Sequence, residues 1–140
     1  MAVLLVNVIT PDGTIFEHRA KEVHAQTTDG GITILPSHTP IIVPLAIGEL
    51  IVTRVTDELQ QNHIAVSGGI MEVRENKVNV IANTAERARD IDIDRAERAK
   101  TEAEKRMSEA RETKNSQEFI RAKVSLAKAI NRIGVSDKRI

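Results

Sequence analysis

The sequence predicts an α+β protein: an N-terminal antiparallel β-sandwich or barrel, then a C-terminal antiparallel hairpin of two helices. Three observations carry this expectation. Up to about Ala82, Val, Ile and Thr come in short runs broken by Gly, Pro and Asn, which is strand composition. Beyond residue 85 there is no proline, and Ala, Glu, Lys and Arg dominate, which is helix composition. Between Asn83 and Lys100 the apolar spacing changes from alternation to every third or fourth residue.

Ala2 to Thr10 reads as a strand with Leu4, Val6 and Val8 on one face. Thr10-Pro-Asp-Gly13 is a turn, because proline presets φ and glycine accepts φ > 0. Ile15 to His18 and Val23 to Thr27 are the next two strands. Asp29-Gly-Gly31 turns again, and Ile32 to Leu35 is a short strand ended by Pro36. Pro44 argues against a central sheet position for Ile41 to Leu45, since proline cannot donate to a ladder. Glu49 to Val55 and His63 to Ser67 alternate as strands, and Gly68-Gly69 leads into Ile70 to Val73. Glu75-Asn76 closes a hairpin to Lys77–Ala82. Many short strands with short connections favour antiparallel pairing throughout.

The helical part opens where Asp92 or Asp94 can cap, and Glu97, three residues after Asp94, fits a variant of the capping box. Ile93, Ala96, Ala99, Ala103, Met107 and Ala110 form one stripe of a helix about 30 Å long. Glu112 to Ser116 interrupts it, and Asn115 with Glu118 starts a second helix. The second stripe is Phe119, Ala122, Leu126, Ile130 and Ile133, with Gly134 suited to the position just past the helix end. Alanine buries little surface, so at ~25 cal/mol per Å² the hairpin is expected to hold weakly and to be able to open. The division is residues 1–85 for the β part and 86–140 for the helical arm.

Composition excludes several functions. Phe16 and Phe119 are the only aromatic residues, so stacking platforms for single-stranded nucleic acid are absent. There is no cysteine, hence no disulfide or thiol chemistry. No apolar run approaches the ~20 residues of a membrane span, and the N-terminus lacks the basic region of a signal peptide. A soluble protein without membrane insertion is expected. Net charge is zero, but residues 1–85 hold 5 Lys and Arg against 9 Asp and Glu, and residues 86–140 hold 15 against 11. Most of these charges read as a solvated helix face with pairs such as Glu102–Arg106.

No catalytic constellation emerges. His18, His24, His38 and His63 lack metal-ligand spacing, and no metal site is expected. The glycine pairs do not match a phosphate loop, and there is no nucleophile elbow. The segment Ile91-Asp92-Ile93-Asp94-Arg95-Ala96 is the exception: arginines there and on the second helix could hold a phosphorylated ligand, as an alternative to simple capping and ion pairing.

Several motifs, in order, carry a resemblance. They are Thr10-Pro-Asp-Gly13, then Gly30 with Ile34-Leu-Pro, His38 and Pro40, then Val66-Ser-Gly-Gly-Ile-Met-Glu-Val73. Asn76-Lys-Val78, Ala82 with Thr84-Ala-Glu-Arg-Ala88, and Ala129-Ile-Asn-Arg-Ile133 complete the set. Together they resemble the epsilon subunit of the bacterial F-type ATP synthase over nearly the whole chain. The resemblance implies a sandwich of about ten strands, a two-helix hairpin, and a non-catalytic place in the rotary stalk. Such a subunit couples proton flow to ATP synthesis at the cytoplasmic face of the bacterial cell membrane, as a peripheral component. Its implied partners are the gamma subunit and the c-subunit ring, with the alpha and beta subunits reached when the arm extends to inhibit ATP hydrolysis.

The resemblance also implies regulatory ATP binding, with no required cofactor. Ile91, Asp92, Arg95 and Ala96 match the family's I-[DE]-x-x-R-A motif, and Glu86 matches an upstream acidic residue. Arg121 and Arg132 match basic positions of the second helix, and Lys128 stands where an arginine is expected. Glu102 replaces a further arginine, which reverses charge there. At the rotor interface the implied residues are Asp29, Gly31 and His38; position 31 lacks the family's acidic residue, for which Asp29 can substitute. Two rival readings from other classes are a basic hairpin binding nucleic acid and a coiled-coil interaction module. Interleaved acidic residues and the missing aromatics weigh against the first, and the short alanine-rich seam against the second.

Overall fold

The computed structural model describes residues 2–55 and 61–138. Those residues form β1 (Leu4–Thr10), β2 (Gly13–Thr27), β3 (Gly30–Ile34), β4 (Ile41–Arg54), β5 (Gln61–Arg74), β6 (Lys77–Ala82) and β7 (Ala85–Arg87). A 3-10 turn (Ala88–Asp90) leads to α1 (Ile93–Glu112) and α2 (Ser116–Ser136). The described residues form seven strands where about ten were implied, because β2 and β5 are long and each span what reads as two strands, and β4 joins Ile41–Leu45 to the strand read from Glu49.

The ladder order is β1-β6-β5-β4-β2-β3, with β7 on β5 and a further β1–β2 pairing. The first half of β2 pairs with β1 and the second half with β4, so the sheet closes on itself as a flattened barrel, or sandwich. One pairing departs from the antiparallel expectation: β1 and β6 run parallel, Leu5 opposite Lys77 through Ile9 opposite Ile81. They can do so because four strands intervene in the chain. Inward residues alternate, and Leu4, Val6, Val8, Val23, Ile34, Leu50, Val52, Ile64, Met71, Val78 and Val80 are all fully buried. Each contributes roughly 1.5–3 kcal/mol on burial, so the strands hold the main core.

Two local features follow from backbone chemistry. Pro44 does lie in a strand, but Ile41–Pro44 pairs only with β5, because the β2 ladder on that side ends at Thr27 opposite Leu45. The missing N–H therefore faces no ladder, and the Pro44 carbonyl still accepts from the Thr28 N–H at 3.2 Å. In β5 the chain passes through Gly68 (φ 86°) and Gly69 (φ 130°), where it bends between layers. A Cβ on Gly69 would overlap the Ile81 carbonyl oxygen and sit 2.8 Å from the Ala82 Cα, so only glycine fits.

In the arm, Asp92 is the α1 cap: its Oδ1 accepts from the Arg95 N–H at 3.0 Å. Arg95 thus occupies the third helical position, and the Asp94–Glu97 box does not form. Asn115 caps α2 in the same way, accepting from the Glu118 N–H at 3.1 Å. Lys114, in left-handed conformation (φ 55°), turns the chain between the helices. The seam is a heptad of small residues, with Ala96, Ala103 and Ala110 facing Ala122 and Ala129, all buried. Ile93 and Ile130 are instead exposed, since the 3.6-residue period carries them off the contact line. Arg106 bridges across the seam to Glu118 at 2.8 Å rather than along its own helix to Glu102. α2 runs through Gly134 to Ser136, so that glycine is helix interior and not a terminus.

α2 supplies most of the contact with the sheet, against β4 and β5, while α1 packs chiefly on α2. A small apolar cluster separate from the main core, made of Ala65, Ala88, Ile91 and Val135, joins the two layers. Polar contacts flank it. Asn131 Nδ2 donates to the Gly48 carbonyl at 2.9 Å, and Lys138 Nζ lies 2.8 Å from Glu49 Oε2.

Candidate functional site

Where α2 meets β5 and β7, a cleft of about 330 Å³ opens. It is lined by Ala65, Val66, Ser67, Thr84, Glu86, Arg95, Lys128, Asn131 and Arg132. Local geometry explains the convergence. On α2, Lys128, Asn131 and Arg132 stand three and four residues apart and share one face. Arg95 enters from the first turn of α1, and Glu86 from β7, whose pairing with β5 sets it opposite Ala65. The floor is the bend of β5, where the Ser67 and Thr84 hydroxyls hydrogen-bond and the Ser67 N–H donates to the Thr84 carbonyl at 3.1 Å.

Three cations and one carboxylate share this space. Arg132 Nε stands 2.8 Å from Glu86 Oε1, and its Nη2 donates to Glu86 Oε2 at 3.4 Å. Lys128 and Arg95 have no carboxylate within ion-pair distance among the described residues, so the cleft is electropositive away from Glu86. Guanidinium, ammonium, amide and hydroxyl donors around a cavity of this size suit an anionic small molecule with polar substituents.

The structure therefore brings together Glu86, Arg95, Lys128 and Arg132. Ile91 and Ala96 are buried, at 2% and 0% exposure, and serve packing: they place the α1 start that carries Arg95. Asp92 caps that helix. Arg121 is exposed and lies outside the lining, two turns or ~10.5 Å back along α2 from Lys128. Glu102 is likewise exposed on α1, outside the lining. Sequence reasoning missed Ser67, Thr84 and Asn131. The helical spacing from Lys128 could have found Asn131; the two hydroxyls arrive through strand register, which leaves no local signal.

Asp29, Gly31 and His38 do not share one place. Asp29 and Gly31 sit at the β2–β3 tip, where the Asp29 N–H donates to Thr27 Oγ1 at 3.1 Å. His38 lies beyond the other end of β3, in a turn closed by its N–H donating to the Leu35 carbonyl at 3.2 Å. Its Nδ1–H donates to the Thr39 carbonyl at 2.6 Å. A Cβ at Gly31 would stand 3.1 Å from the His24 ring, which hydrogen-bonds to Thr33. The His38 loop is held by Asn76, whose Oδ1 accepts from the Ser37 N–H at 2.6 Å. Beside it, Leu35 and Ile42 are exposed, at 53% and 70%. The outer sheet face continues this apolar surface through Pro44, Ile70, Ile81 and Ile9, which are register neighbours across four strands.

Two family models cover almost the whole chain. The β-sandwich domain of the ATP synthase delta/epsilon chain matches residues 3–88, and the long α-helix domain of the same chain matches residues 89–137. The chain belongs to the ATP synthase delta/epsilon chain family. Members are non-catalytic stalk subunits of the proton-transporting ATP synthase, in keeping with the lack of a catalytic constellation in the sequence. Among solved structures the fold is similar to a chain of the Euglena gracilis mitochondrial ATP synthase OSCP/F1/c-ring assembly. The TM-score there is 0.78 at 19% identity, covering 94% of this chain and 79% of that one. A chain of the Tetrahymena thermophila mitochondrial ATP synthase central stalk and c-ring is similar at TM-score 0.50 and 17% identity, covering 61% and 67%. At these identities the likeness is one of fold. Among the described residues, no helix is long and apolar enough to cross a membrane, and no group of three His, Asp or Glu is placed to hold a metal ion.

Proposed function

We propose that this delta/epsilon-family stalk subunit is of the bacterial epsilon type, working at the cytoplasmic face of the cell membrane. The β part is its coupling and assembly module and the helical arm its nucleotide-sensitive switch. The observation that carries the switch is the cleft in which Glu86, Arg95, Lys128 and Arg132 converge. Its walls come from both sheet and arm, so a ligand filling it binds the docked arrangement alone and stabilises that arrangement by mass action. ATP fits the donor set: Arg95, Lys128 and Arg132 for phosphates, and Ser67, Thr84 and Asn131 for the polar edges of the nucleoside. Arg132 must then be shared between Glu86 and the ligand. With ATP scarce, the arm is free to leave the sheet, extend toward the alpha and beta subunits, and restrain hydrolysis.

The apolar row of exposed Pro44, Ile70 and Ile81 with half-buried Ile9 is the surface offered to the gamma subunit, since such a patch on a closed sheet calls for a partner. The His38 loop, with Leu35 and Ile42, is offered to the c-subunit ring, and the β2–β3 tip with Asp29 is a second, separate contact. Calorimetric titration of ATP into the isolated protein, with an arm-to-sheet distance probe in parallel, tests the switch. Saturable heat accompanied by a shorter mean distance is expected. Absence of both at several millimolar ATP refutes it.

A further inference from the structure

A second, smaller cleft lies on the far side of β7 from the first, with a volume of about 70 Å³. It is lined by Arg54, Asn62, His63, Arg87, Ala88, Arg89 and Lys138. None of the described lining residues is acidic, and four are permanent or near-permanent cations. Three of the four come from the sheet and the 3-10 turn, where the chain had freedom to separate them. The strand register of β7 puts Arg87 opposite Ile64, next to Asn62 and His63 on β5, while Arg54 ends the neighbouring β4.

Among the described residues the charges are not balanced locally. Glu49, beside the cleft, is taken up by Lys138 at 2.8 Å and by His63 at 3.1 Å. Arg87 has no carboxylate partner among the described residues; its guanidinium rests over the Phe16 ring, 5.3 Å from the centroid. Burial, together with the neighbouring charges of Arg89 and Arg54, lowers the Arg87 pKa, and Asp90 offsets this only in part. Arg54 Nη2 donates to His18 Nδ1 at 3.1 Å, which requires the neutral imidazole at that nitrogen. Burial, and then Arg54, Arg87 and Arg89, lower the His18 pKa, while Glu17 on the same strand opposes them weakly. Among the described residues, then, the cationic field is relieved only in part, by Asp90 and Glu17.

Polar valences are also open. The Nε of Arg87 and the Oδ1 of Asn62 are both buried with no hydrogen-bond partner among the described residues. Since an asparagine amide can present either end, Asn62 can supply an N–H donor to the same point. A buried donor left without a partner is unfavourable, and crowded guanidiniums add repulsion. An anion in the cleft removes both penalties. The volume admits about the space of two waters, taking ~30 Å³ as one water's share of the liquid. That suits one tetrahedral oxyanion and leaves no room for a nucleoside.

We propose that the Arg54–Arg87–Arg89 cleft binds a small tetrahedral oxyanion, free inorganic phosphate being its natural form. The site is independent of the Arg132 cleft. Because Lys138 at the end of α2 contributes to its wall, the bound anion also ties the arm to the sheet.

The test uses the full chain and inorganic phosphate as probe, at fixed ionic strength maintained with chloride. Phosphate is expected to raise the melting temperature saturably, and sulfate to mimic it. Arg89→Gln, an exposed position that leaves packing intact, should raise the half-saturating concentration at least about tenfold, the loss of one charge-assisted hydrogen bond. Arg87→Lys keeps a cation over Phe16 but removes the fork and should also weaken binding. Arg132→Gln should leave the phosphate effect unchanged. An equal rise with chloride, or a phosphate effect lost in Arg132→Gln and kept in Arg89→Gln, overturns the proposal. A separate arm uses phosphatidylglycerol vesicles. Vesicle binding that depends on Arg89, with no effect of free phosphate, would assign the cleft to a lipid headgroup and overturn the free-anion reading.

Discussion

Val135 is where the arm can be loosened with least disturbance to the sheet. Its side chain is 1% exposed and belongs to the four-residue cluster with Ala65, Ala88 and Ile91, apart from the core of the sandwich. Val135→Ala removes two methyl groups, each worth about 0.8 kcal/mol when buried, for a loss of about 1.6 kcal/mol. The cavity term should be small, because the cluster lies at a seam that can close. If the arm docks as a unit distinct from the sheet, that loss falls on docking alone. The open fraction then rises by an order of magnitude, since 1.4 kcal/mol is about tenfold. Native-state hydrogen exchange reads this directly. The α2 amides near Asn131 and Val135 should exchange about tenfold faster, while the amides of β4 and β6 keep their protection. An equal drop in protection in both parts would show one cooperative unit and refute a separately docking arm.

Four further outcomes are expected. Arg132→Ala and Arg95→Ala should each weaken ATP binding by calorimetry about tenfold or more, whereas Arg121→Ala and Lys123→Ala, outside the cleft, should change it less than about threefold. A fragment ending at Asp90, which keeps β7, should unfold cooperatively in urea, and aggregation at all concentrations would rule out an independent sandwich. Gly69→Ala should cost about 2–4 kcal/mol in denaturant melts through its backbone overlap, while Gly134→Ala, in open space within α2, should gain about 0.5–1 kcal/mol. His18 has its native pKa held below the ordinary value of 6.5, so the unfolded chain takes up a proton near that pH while the native state does not. Stability should therefore fall as pH drops below about 6.5 until the lowered native pKa is passed, and His18→Gln should flatten that slope.

The large division of the fold was legible because it rests on local chemistry. β-Branched runs punctuated by proline and glycine mark the strands, and alanine, glutamate and lysine mark the helices. Short polar side chains at Asp92 and Asn115 cap by reaching N–H groups within the same turn, so both caps could be read. Where two local options competed, sequence could not choose: Asp94 with Glu97 was as good a start as Asp92 until the 3-10 turn placed the chain. Gly134 looked like a terminus by composition, yet contacts of Val135 with the sheet carry the helix past it. The break read at Gly68-Gly69 is a bend within one strand, since pairing with β4 continues on both sides. The parallel β1–β6 pair has no sequence signature at all, because it joins residues some 70 positions apart.

The candidate site divides in the same way. Arg95 is legible as a cation at a helix start, and the family resemblance added Glu86, Lys128 and Arg132. Sequence alone determined which residue types were available: a zero-cysteine, nearly aromatic-free chain with its cations gathered after position 85, able to bind anions and unable to act as a nucleophile enzyme by any recognisable motif. Tertiary structure alone decided which of those cations meet. Strand β7 places Glu86 in one cleft and Arg87 in another, because successive strand side chains point to opposite faces. Neighbours one residue apart thus serve separate sites, while Glu86 and Arg132, 46 residues apart, form an ion pair.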